Sequence, residues 1–537
     1  MTSFHTVEPN DDLRLRYRGA GWWTDEGLAE LLGNALHESR RRTFVAHTRS
    51  GDLAMPMGHV AAWGRRVAAG LSRLGVKAGD PVAFQLANGL PAAAVFYGLV
   101  HLGAILVPIG HAMGRSELRY VVQTSRARVL FMPAKVVNGG LVDDLLAGST
   151  TLERVVSVGG GAATARATTL ENLADYDDER PPARQDSAMP AVIGWTSGST
   201  AEPKGVLLSH RALCAEVRLH MAPLMAARRR PVLSTSPVSH VTGMLTSLLV
   251  PPLIGEDVHL MDYWDPHDVL TLMQTHAVSA GTGAPLFLRD LLDNGRCGAE
   301  HHRLIGVAAL GGASVPSDLI ERADAVGVTA LKGYGCTEHP SISLGVPSDP
   351  VSLRASTDGR LCSGVQVRIR DQNGRHHSEG TGEILTRGPD LFSGYLDPML
   401  NVEAFDDGWY RTGDLGTLDD GGYITVSDRL KDIIIRSGLN VSAAEVELAL
   451  AAMPEVDEVV VVAAPNVRTG EHGCAFVRPA PGFDTPHLTQ VREHLAMLGL
   501  AKYKWPEEVR AYLGEFPRTA AGKVLKSKLR EAARQAQ

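Results

Sequence analysis

Through about residue 350 the chain alternates between two hydrophobic rhythms. Gly27–Glu38 and His59–Leu74 repeat apolar residues every three or four positions, which predicts helices. Pro81–Leu86, Ala104–Val107, Val129–Met132 and Arg154–Val158 are short apolar runs of the kind that form buried strands. Such alternation argues for α/β layers around mostly parallel sheets. Pro91–Pro108 is the most apolar long stretch, but His101 and Gly103 interrupt it and prolines bound it. It reads as a core helix running into a strand, not a membrane span. Gly159–Thr169 reads as a loop, and the charged, proline-bearing Asp175–Met189 as a linker. Ala191–Trp195 and Gly205–Leu208 form two further apolar runs, and Ser209 suits the N-cap of a helix through Leu213 and Cys214.

From about Gly359 the texture changes. Val365–Asp371, Gly382–Arg387, Gly416–Leu418 and Tyr423–Ser427 are short strand patterns separated by Gly, Asp and Asn turns, which predicts a small antiparallel barrel or sheet. After Asp428 a compact α+β pattern follows: helix Ala443–Met453, strands Val456–Ala463 and Gly473–Val477, helix Leu488–Leu498 and strand Glu508–Tyr512. A boundary at Asp428–Lys431 divides the chain into residues 1–428 and 429–537. The expected fold class is α/β: a large N-terminal domain of layered α/β subdomains plus a small β-barrel, with a small mobile C-terminal α+β domain.

A length of 537 residues supports this division, since single cores stop growing near roughly 250–300 residues. The net charge of −7 argues against a nucleic-acid partner, and the triplets Arg40–Arg42 and Arg228–Arg230 read as solvated helix ends or loops. Five scattered cysteines without a CxxC pair suggest neither a disulfide framework nor a zinc site and fit a reducing cytoplasm. Met1-Thr-Ser-Phe-His shows no basic segment followed by an apolar run, so no secretory signal is expected. His301-His302 and the other histidines outside the motifs below show no metal-ligand spacing and read as structural.

Candidate chemistry begins at Trp195-Thr-Ser-Gly-Ser-Thr-Ala-Glu-Pro-Lys-Gly205. Small hydroxyl residues and glycines let backbone N–H groups curl around an anion, and Lys204 adds charge. This is a polyphosphate cradle without the Walker spacing. Six further motifs follow in order: Pro237-Val-Ser-His240, Leu310-Gly-Gly-Ala-Ser314, Gly333-Tyr-Gly-Cys-Thr-Glu338, Tyr410-Arg-Thr-Gly-Asp414, Asp428-Arg-Leu-Lys-Asp432 and Pro517-Arg-Thr-Ala-Ala-Gly-Lys523. In this series and spacing, from about Thr24 to Arg530, the chain resembles the adenylate-forming superfamily of acyl-CoA synthetases, adenylation domains and luciferases.

The resemblance implies a specific chemistry. A carboxylate attacks the α-phosphorus of ATP, pyrophosphate leaves, and the acyl-adenylate passes its acyl group to a thiol. Thr196, Ser197, Gly198, Ser199, Thr200 and Lys204 are carried over as the holders of the β- and γ-phosphates, Thr337 of the α-phosphate, and Glu338 of Mg²⁺. Tyr334 corresponds to the aromatic face on adenine, flanked by Gly333 and Gly335, with Gly312 and Ala313 approaching the base. Asp414 and Arg429 correspond to ribose contacts, and Asn440 to a further nucleotide contact. Lys523 is the implied catalytic lysine. His240, Gly311 and Lys332 line the expected acyl site. Lys431 is the implied hinge, and Ser437 and Gly438 belong to the implied CoA face.

Some positions depart from the family's common pattern. Ser199 and Ala201 replace a frequent threonine and glycine but keep the cradle small. Lys526, Ile435, Lys332 and Cys362-Ser363 depart at positions that leave acceptor and acyl specificity open. The wording around Gly333–Pro340 and Phe516–Leu525 most resembles bacterial medium-chain, aryl and alicyclic acyl-CoA ligases. The expectation is therefore an ATP- and Mg²⁺-dependent, cytoplasmic carboxylate–CoA ligase acting on a small carboxylic acid, aryl or alicyclic, as monomer or homodimer, with no membrane partner. The alternatives are an enzyme loading a carrier-protein thiol, a diazotase adenylating nitrite, and a catalytically silent nucleotide sensor, against which the intact Lys204, Glu338, Asp414 and Lys523 argue.

Overall fold

The computed structural model describes residues 4–111, 113–137, 139–161, 167–176, 181–196, 203–228, 230–436, 439–466, 468–518 and 523–535. The chain forms two compact units, Met1–Gln366 with Arg387–Trp409, and Val367–Thr386 with Tyr410–Gln537. The expected antiparallel strands group with the C-terminal residues, so these units differ from the segments 1–428 and 429–537. Compactness and mobility are separate properties; a pivot at Lys431 would lie inside the second unit.

The first unit is built on a seven-stranded sheet in the order Ala167–Thr169, Arg154–Val158, Val129–Pro133, Pro81–Phe84, Ile105–Pro108, Pro190–Thr196, Lys204–Ser209. Its strands run parallel except for the last pair, which is an antiparallel hairpin. Both faces are covered, which explains why these strands read as continuous apolar runs instead of alternating ones. Residues Val107, Ile109, Leu130, Ile193 and Leu207 share one core cluster. The three-residue edge strand Ala167–Thr169 lies in the expected loop Gly159–Thr169; it is half-buried and too short to show a period of two.

The most apolar stretch is the helix Leu90–Leu102 running into strand Ile105–Pro108, as expected. Its C-cap, Gly103, takes φ +75°, a left-handed cap that glycine adopts without a Cβ penalty. No helix among the described residues is long and apolar enough to cross a membrane.

Two smaller sheets complete the unit. One has the order Leu233–Ser234, Val258–Met261, Thr43–Thr48, Gly51–Pro56. The other joins the parallel strands Val307–Leu310 and Thr329–Tyr334 to Ser343–Leu344 and Arg360–Leu361. Helix His210–Glu216 starts where expected, with the Ser209 hydroxyl accepting from Ala212 N. It then continues as the π-helix Val217–Met221, which periodicity did not predict.

In the second unit an antiparallel sheet forms around Gly380–Arg387, Trp409–Leu418 and Ile424–Arg429. A five-stranded sheet follows, centred on Val456–Asn466 and Gly470–Pro479. Val459 and Val461 point to a core closed by helices Ala443–Ala451 and Leu488–Met497. Val460 and Val462 point to the opposite face, closed by Leu529 and Ala533 of helix Lys526–Gln535. The strand's period of two thus feeds two cores, and the observed class is the expected α/β one with a small barrel-like sheet and an α+β C-terminal part.

Candidate active site

The cradle hairpin is fixed at its flanks. Thr196 pairs with Lys204 and Gly194 with Val206 across the two strands. Ser197, Gly198, Ser199 and Thr200 lie outside the described residues. The segment Ser393–Leu396 runs along the free side of the second strand: Leu207 N donates to Gly394 O at 2.9 Å and Leu396 N to Gly205 O at 2.8 Å. This places the Tyr395 ring 5.4 Å from Lys204 Nζ, within cation–π range. The Tyr395 hydroxyl donates to Glu338 Oε1 at 2.7 Å. One buried aromatic therefore connects the cradle lysine to the expected metal-binding carboxylate.

Glu338 and Thr337 sit in a turn that only glycine permits. A Cβ on Gly335 would lie 2.0 Å from Pro340 O. Cys336 N donates to His339 O at 3.0 Å, closing that turn. Thr337 also approaches the strand that enters the cradle: a Cβ on Gly194 would meet its Cγ2 at 3.1 Å and Val241 Cγ2 at 3.7 Å. Bare backbone at Gly194 therefore leaves room for Thr337 and for Val241, the residue that follows the Pro237–His240 motif.

The remaining motif residues of the first unit cluster at strand ends. Gly311, Gly312 and Ala313 follow Val307–Leu310, and Gly335 follows Thr329–Tyr334; Leu310 pairs with Lys332 in the parallel register. Both loops leave carboxyl ends of parallel strands, where open α/β sheets bind ligands. Gly311 N donates to Gly283 O at 2.9 Å, and Tyr334 O accepts from Ile342 N at 2.9 Å. Lys332 is buried, and burial lowers its pKa against the pull of Asp358. His240 precedes the short helix Val241–Met244. Burial, reinforced by His111, lowers its pKa, and its buried Nε2 has no hydrogen-bond partner among the described residues. Its neutral form is thus favoured, with one buried polar atom unmet among the described residues.

The second unit brings its own set together. Asp414 pairs with Arg429 across adjacent strands, with Oδ1 2.8 Å from Arg429 Nε. Asp414 thus sits within a strand and not in a surface turn. Lys431 occupies the 3-10 turn Leu430–Asp432; burial lowers its pKa, with Arg429 and Arg530 adding to the effect. Arg530 pairs with Asp432 and donates to Lys431 O at 3.2 Å. Lys523 exposes area along its side chain, yet its ammonium is crowded by protein. Desolvation, then Arg429 and Lys431, outweigh Asp414 and Asp432 and hold its pKa at about 8. Asn440 pairs through its backbone with Ile435. Ser437 and Gly438 lie outside the described residues.

Sequence reasoning missed Tyr395 and Gly194. Gly394-Tyr395 is a single glycine–aromatic pair, and Gly194 sits inside an apolar strand run; neither carries a signal until the strands are placed.

Residues 54–396 match the AMP-binding enzyme family, and residues 445–523 match the AMP-binding enzyme C-terminal domain. The chain belongs to the AMP-binding enzyme family. It is 29% identical to the medium-chain fatty-acid–CoA ligase of Escherichia coli (strain K12), over 98% of this chain and 94% of that protein. It is 32% identical to the 3-[(3aS,4S,7aS)-7a-methyl-1,5-dioxo-octahydro-1H-inden-4-yl]propanoyl:CoA ligase of Rhodococcus jostii (strain RHA1), over 93% of this chain and 97% of that protein. Among solved structures, ATP-bound MatB from Rhodopseudomonas palustris superposes with a TM-score of 0.83 at 26% identity, covering 95% of this chain and 99% of that one.

The Tyr395 bridge is testable. Tyr395→Phe keeps the ring over Lys204 and removes the hydrogen bond to Glu338, worth about 1.5–3 kcal/mol to a charged acceptor. The expected result is a fall of roughly tenfold or more in kcat/KM for ATP, read as pyrophosphate release. Unchanged kinetics would show that Glu338 is held without Tyr395.

Proposed function

We infer that this protein is an ATP-dependent carboxylate–CoA ligase that forms an acyl-adenylate and then an acyl-CoA thioester, releasing pyrophosphate and AMP. The observation that carries the reading is the Lys204–Tyr395–Glu338 chain beside Thr337: a cation, a hydroxyl and a carboxylate arranged along the strands Pro190–Thr196 and Lys204–Ser209. A carboxylate and a triphosphate repel one another, so preorganised positive charge and donors are the first requirement. Lys204 and the 196–200 backbone hold the β- and γ-phosphates, and Thr337 contacts the α-phosphate. The oxygen ligand Glu338, buried and oriented by Tyr395, fits a hard cation that keeps waters and phosphate oxygens as its other ligands. Mg²⁺ bound there supplies charge that offsets the phosphates.

Tyr334 stacks on adenine, with Gly333 and Gly335 beside it and Gly312 and Ala313 along its edge. Asp414 accepts from the ribose hydroxyls, and Arg429, already paired with Asp414, fixes that carboxylate. Asn440 adds a nucleotide contact. Lys523 contacts the incoming carboxylate and the α-phosphate, where charge builds as the new P–O bond forms and the bond to pyrophosphate breaks. His240, Gly311 and Lys332 border the acid. A pivot at Lys431 then exchanges Lys523 for the Ser437-Gly438 face, where the CoA sulfur attacks the acyl carbon and AMP departs. The named activities of the relatives support CoA as acceptor, and the Rhodococcus jostii ligase supports an alicyclic acid, with small aryl acids as neighbours of the same class.

A panel of fatty, alicyclic and aryl acids, assayed for both pyrophosphate release and thioester, tests the reading. CoA-dependent thioester is the expected product. Thioester only on a phosphopantetheinyl carrier, or adenylate with no thioester, would sink it.

The pKa of Lys523 sets a pH dependence. The lysine works as a cation, and its depressed pKa means that the charge is present below about pH 8 and is lost above it. In the free enzyme, kcat/KM for adenylation should therefore be level on the acid side and fall as pH rises through about 8. Lys523→Arg should remove that alkaline limb, and Lys523→Ala should lower kcat more than about tenfold with little change in ATP affinity. An unaltered limb in the arginine variant would assign it to another group.

Lys431→Pro separates the half-reactions. Proline fixes φ near about −65° and restricts the residue before it. Pyrophosphate release should persist while transfer to CoA falls severely. Equal losses would indicate misfolding, and no loss would remove Lys431 as the pivot.

A further inference from the structure

A second cluster of metal-ligand side chains lies in the first unit, formed by residues that the proposed reaction does not use. His47 and Asp52 are directly paired across the antiparallel strands Thr43–Thr48 and Gly51–Pro56. His47 Nδ1 lies 2.8 Å from Asp52 Oδ1. His276, the last residue of helix Pro266–His276, places Nε2 3.2 Å from the other carboxylate oxygen, Asp52 Oδ2. One donor atom from each of the three residues lies within 4.8 Å of the others. We propose that His47, Asp52 and His276 form a divalent transition-metal site of the zinc class, tying the Thr43–Pro56 hairpin to the C-terminal end of helix Pro266–His276.

The donor set fits this ion class. Two imidazoles and one carboxylate suit a borderline cation such as zinc, and magnesium or calcium would call for oxygen donors alone. Two metal–ligand bonds of about 2.0–2.1 Å at a tetrahedral angle separate their donor atoms by roughly 3.3 Å. The contacts of 2.8 and 3.2 Å, each to its own carboxylate oxygen, lie close to that span, and all three donor atoms fall within 4.8 Å of one another, so side-chain rotation brings them around one ion. In the metal-free form both rings donate N–H to the carboxylate; on binding, those nitrogens give a lone pair instead.

The surroundings supply the orienting contact that metal-bound histidines need. His47 Nε2 lies 3.1 Å from His259 Nδ1, on the neighbouring strand Val258–Met261. With Nδ1 on the metal, Nε2–H donates to His259, which fixes the ligating tautomer. The His47, His259 and His276 rings pack with centroids 5.1–5.3 Å apart. His47 is 1% exposed, whereas the side chains of Asp52 and His276 are 38% and 26% exposed. The site is thus anchored from inside and open from solvent, leaving a fourth position for water. Linear spacing concealed it because the ligands come from residues 47, 52 and 276.

The test uses the full chain, stripped with chelator and free of ATP and Mg²⁺. Zn²⁺ should be retained at about one equivalent after desalting and should raise Tm, because a ligand that binds the folded state stabilises it. Co²⁺ should give the visible absorption of a four-coordinate nitrogen and oxygen site, without a thiolate charge-transfer band. Asp52→Asn and His276→Gln, at solvent-reached positions, should each weaken Zn²⁺ binding at least tenfold. The pair together should abolish both retention and the Tm shift. His259→Ala should weaken binding by roughly ten- to a hundredfold. The metal-free Tm of each variant shows that it is folded. No retained Zn²⁺ in the wild type, or wild-type retention in the Asp52→Asn, His276→Gln double variant, would overturn the assignment.

Discussion

The first unit depends on a charge network sealed inside it. Glu216 Oε2 lies 2.9 Å from His220 Nδ1, His220 Nε2 donates to the Ser363 carbonyl at 2.9 Å, and His339 Nε2 lies 3.2 Å from Asp390 Oδ1. Ser341 Oγ donates to Glu216 Oε1 at 2.8 Å. Burial opposes the charge on His220, but Asp390, Glu216 and the Ser363 carbonyl outweigh it and raise its pKa to about 9. Burial likewise works against the charge on Asp390, and His339 and His220 reverse the effect and hold its pKa low. Glu216, with burial dominant, is shifted toward its neutral form. Breaking such a pair costs on the order of 3–5 kcal/mol, whereas exposed pairs such as Arg115–Asp144 contribute about 0–1 kcal/mol.

The network matters because of what it joins. Glu216 and His220 lie on the helix that follows the second cradle strand. His339 is the neighbour of Glu338, and Ser341 follows two residues further on. Asp390 lies just ahead of the segment that carries Tyr395 along the cradle hairpin. Three segments are thus tied together by the buried network, and two of them also by the Tyr395 hydroxyl. Phe392 N, donating to Glu338 O at 2.8 Å, adds a backbone link between the two. In the proposed reaction these ties would hold Glu338 and Lys204 in place ahead of the ligand, as electrostatic preorganisation requires.

Much of this was legible in the sequence, for identifiable reasons. The buried strands Pro81–Phe84, Val129–Pro133 and Pro190–Thr196 showed as apolar runs because both faces of their sheet are covered. Ser209 announced its helix through its own capping hydroxyl. Lys204, Glu338, Asp414 and Lys523 stood out because each sits in a motif whose neighbours are small or turn-forming. The rest lacked a local signature. The edge strand Ala167–Thr169 exists only by pairing with Arg154–Val158. The π-helix Val217–Met221 lies where His220 joins the buried network, and hydrophobic spacing does not register such an insertion. Tyr395, His339 and Asp390 act through partners far away in the chain, so their meaning appears only once the strands are placed.

The second unit applies the opposite electrostatic device. In the buried network of the first unit carboxylates face histidines; around Lys523 in the second unit Arg429 and Lys431 add further cations. Arg429 and Lys431 both act on Lys523, and Asp414 and Asp432 only partly offset them. With its pKa held at about 8 the lysine remains charged through neutral pH, so the crowding strips part of its hydration without removing the cation. An ammonium in that condition gains more from a new negative charge than a solvated one does, because little water has to be displaced when the charge appears. In the proposed reaction negative charge gathers on phosphate oxygens, and that charge would offset the repulsion that Arg429 and Lys431 exert on Lys523. In the proposed reaction the two arrangements divide the work: holding ATP calls for a fixed framework, and lowering the barrier calls for a partly desolvated cation.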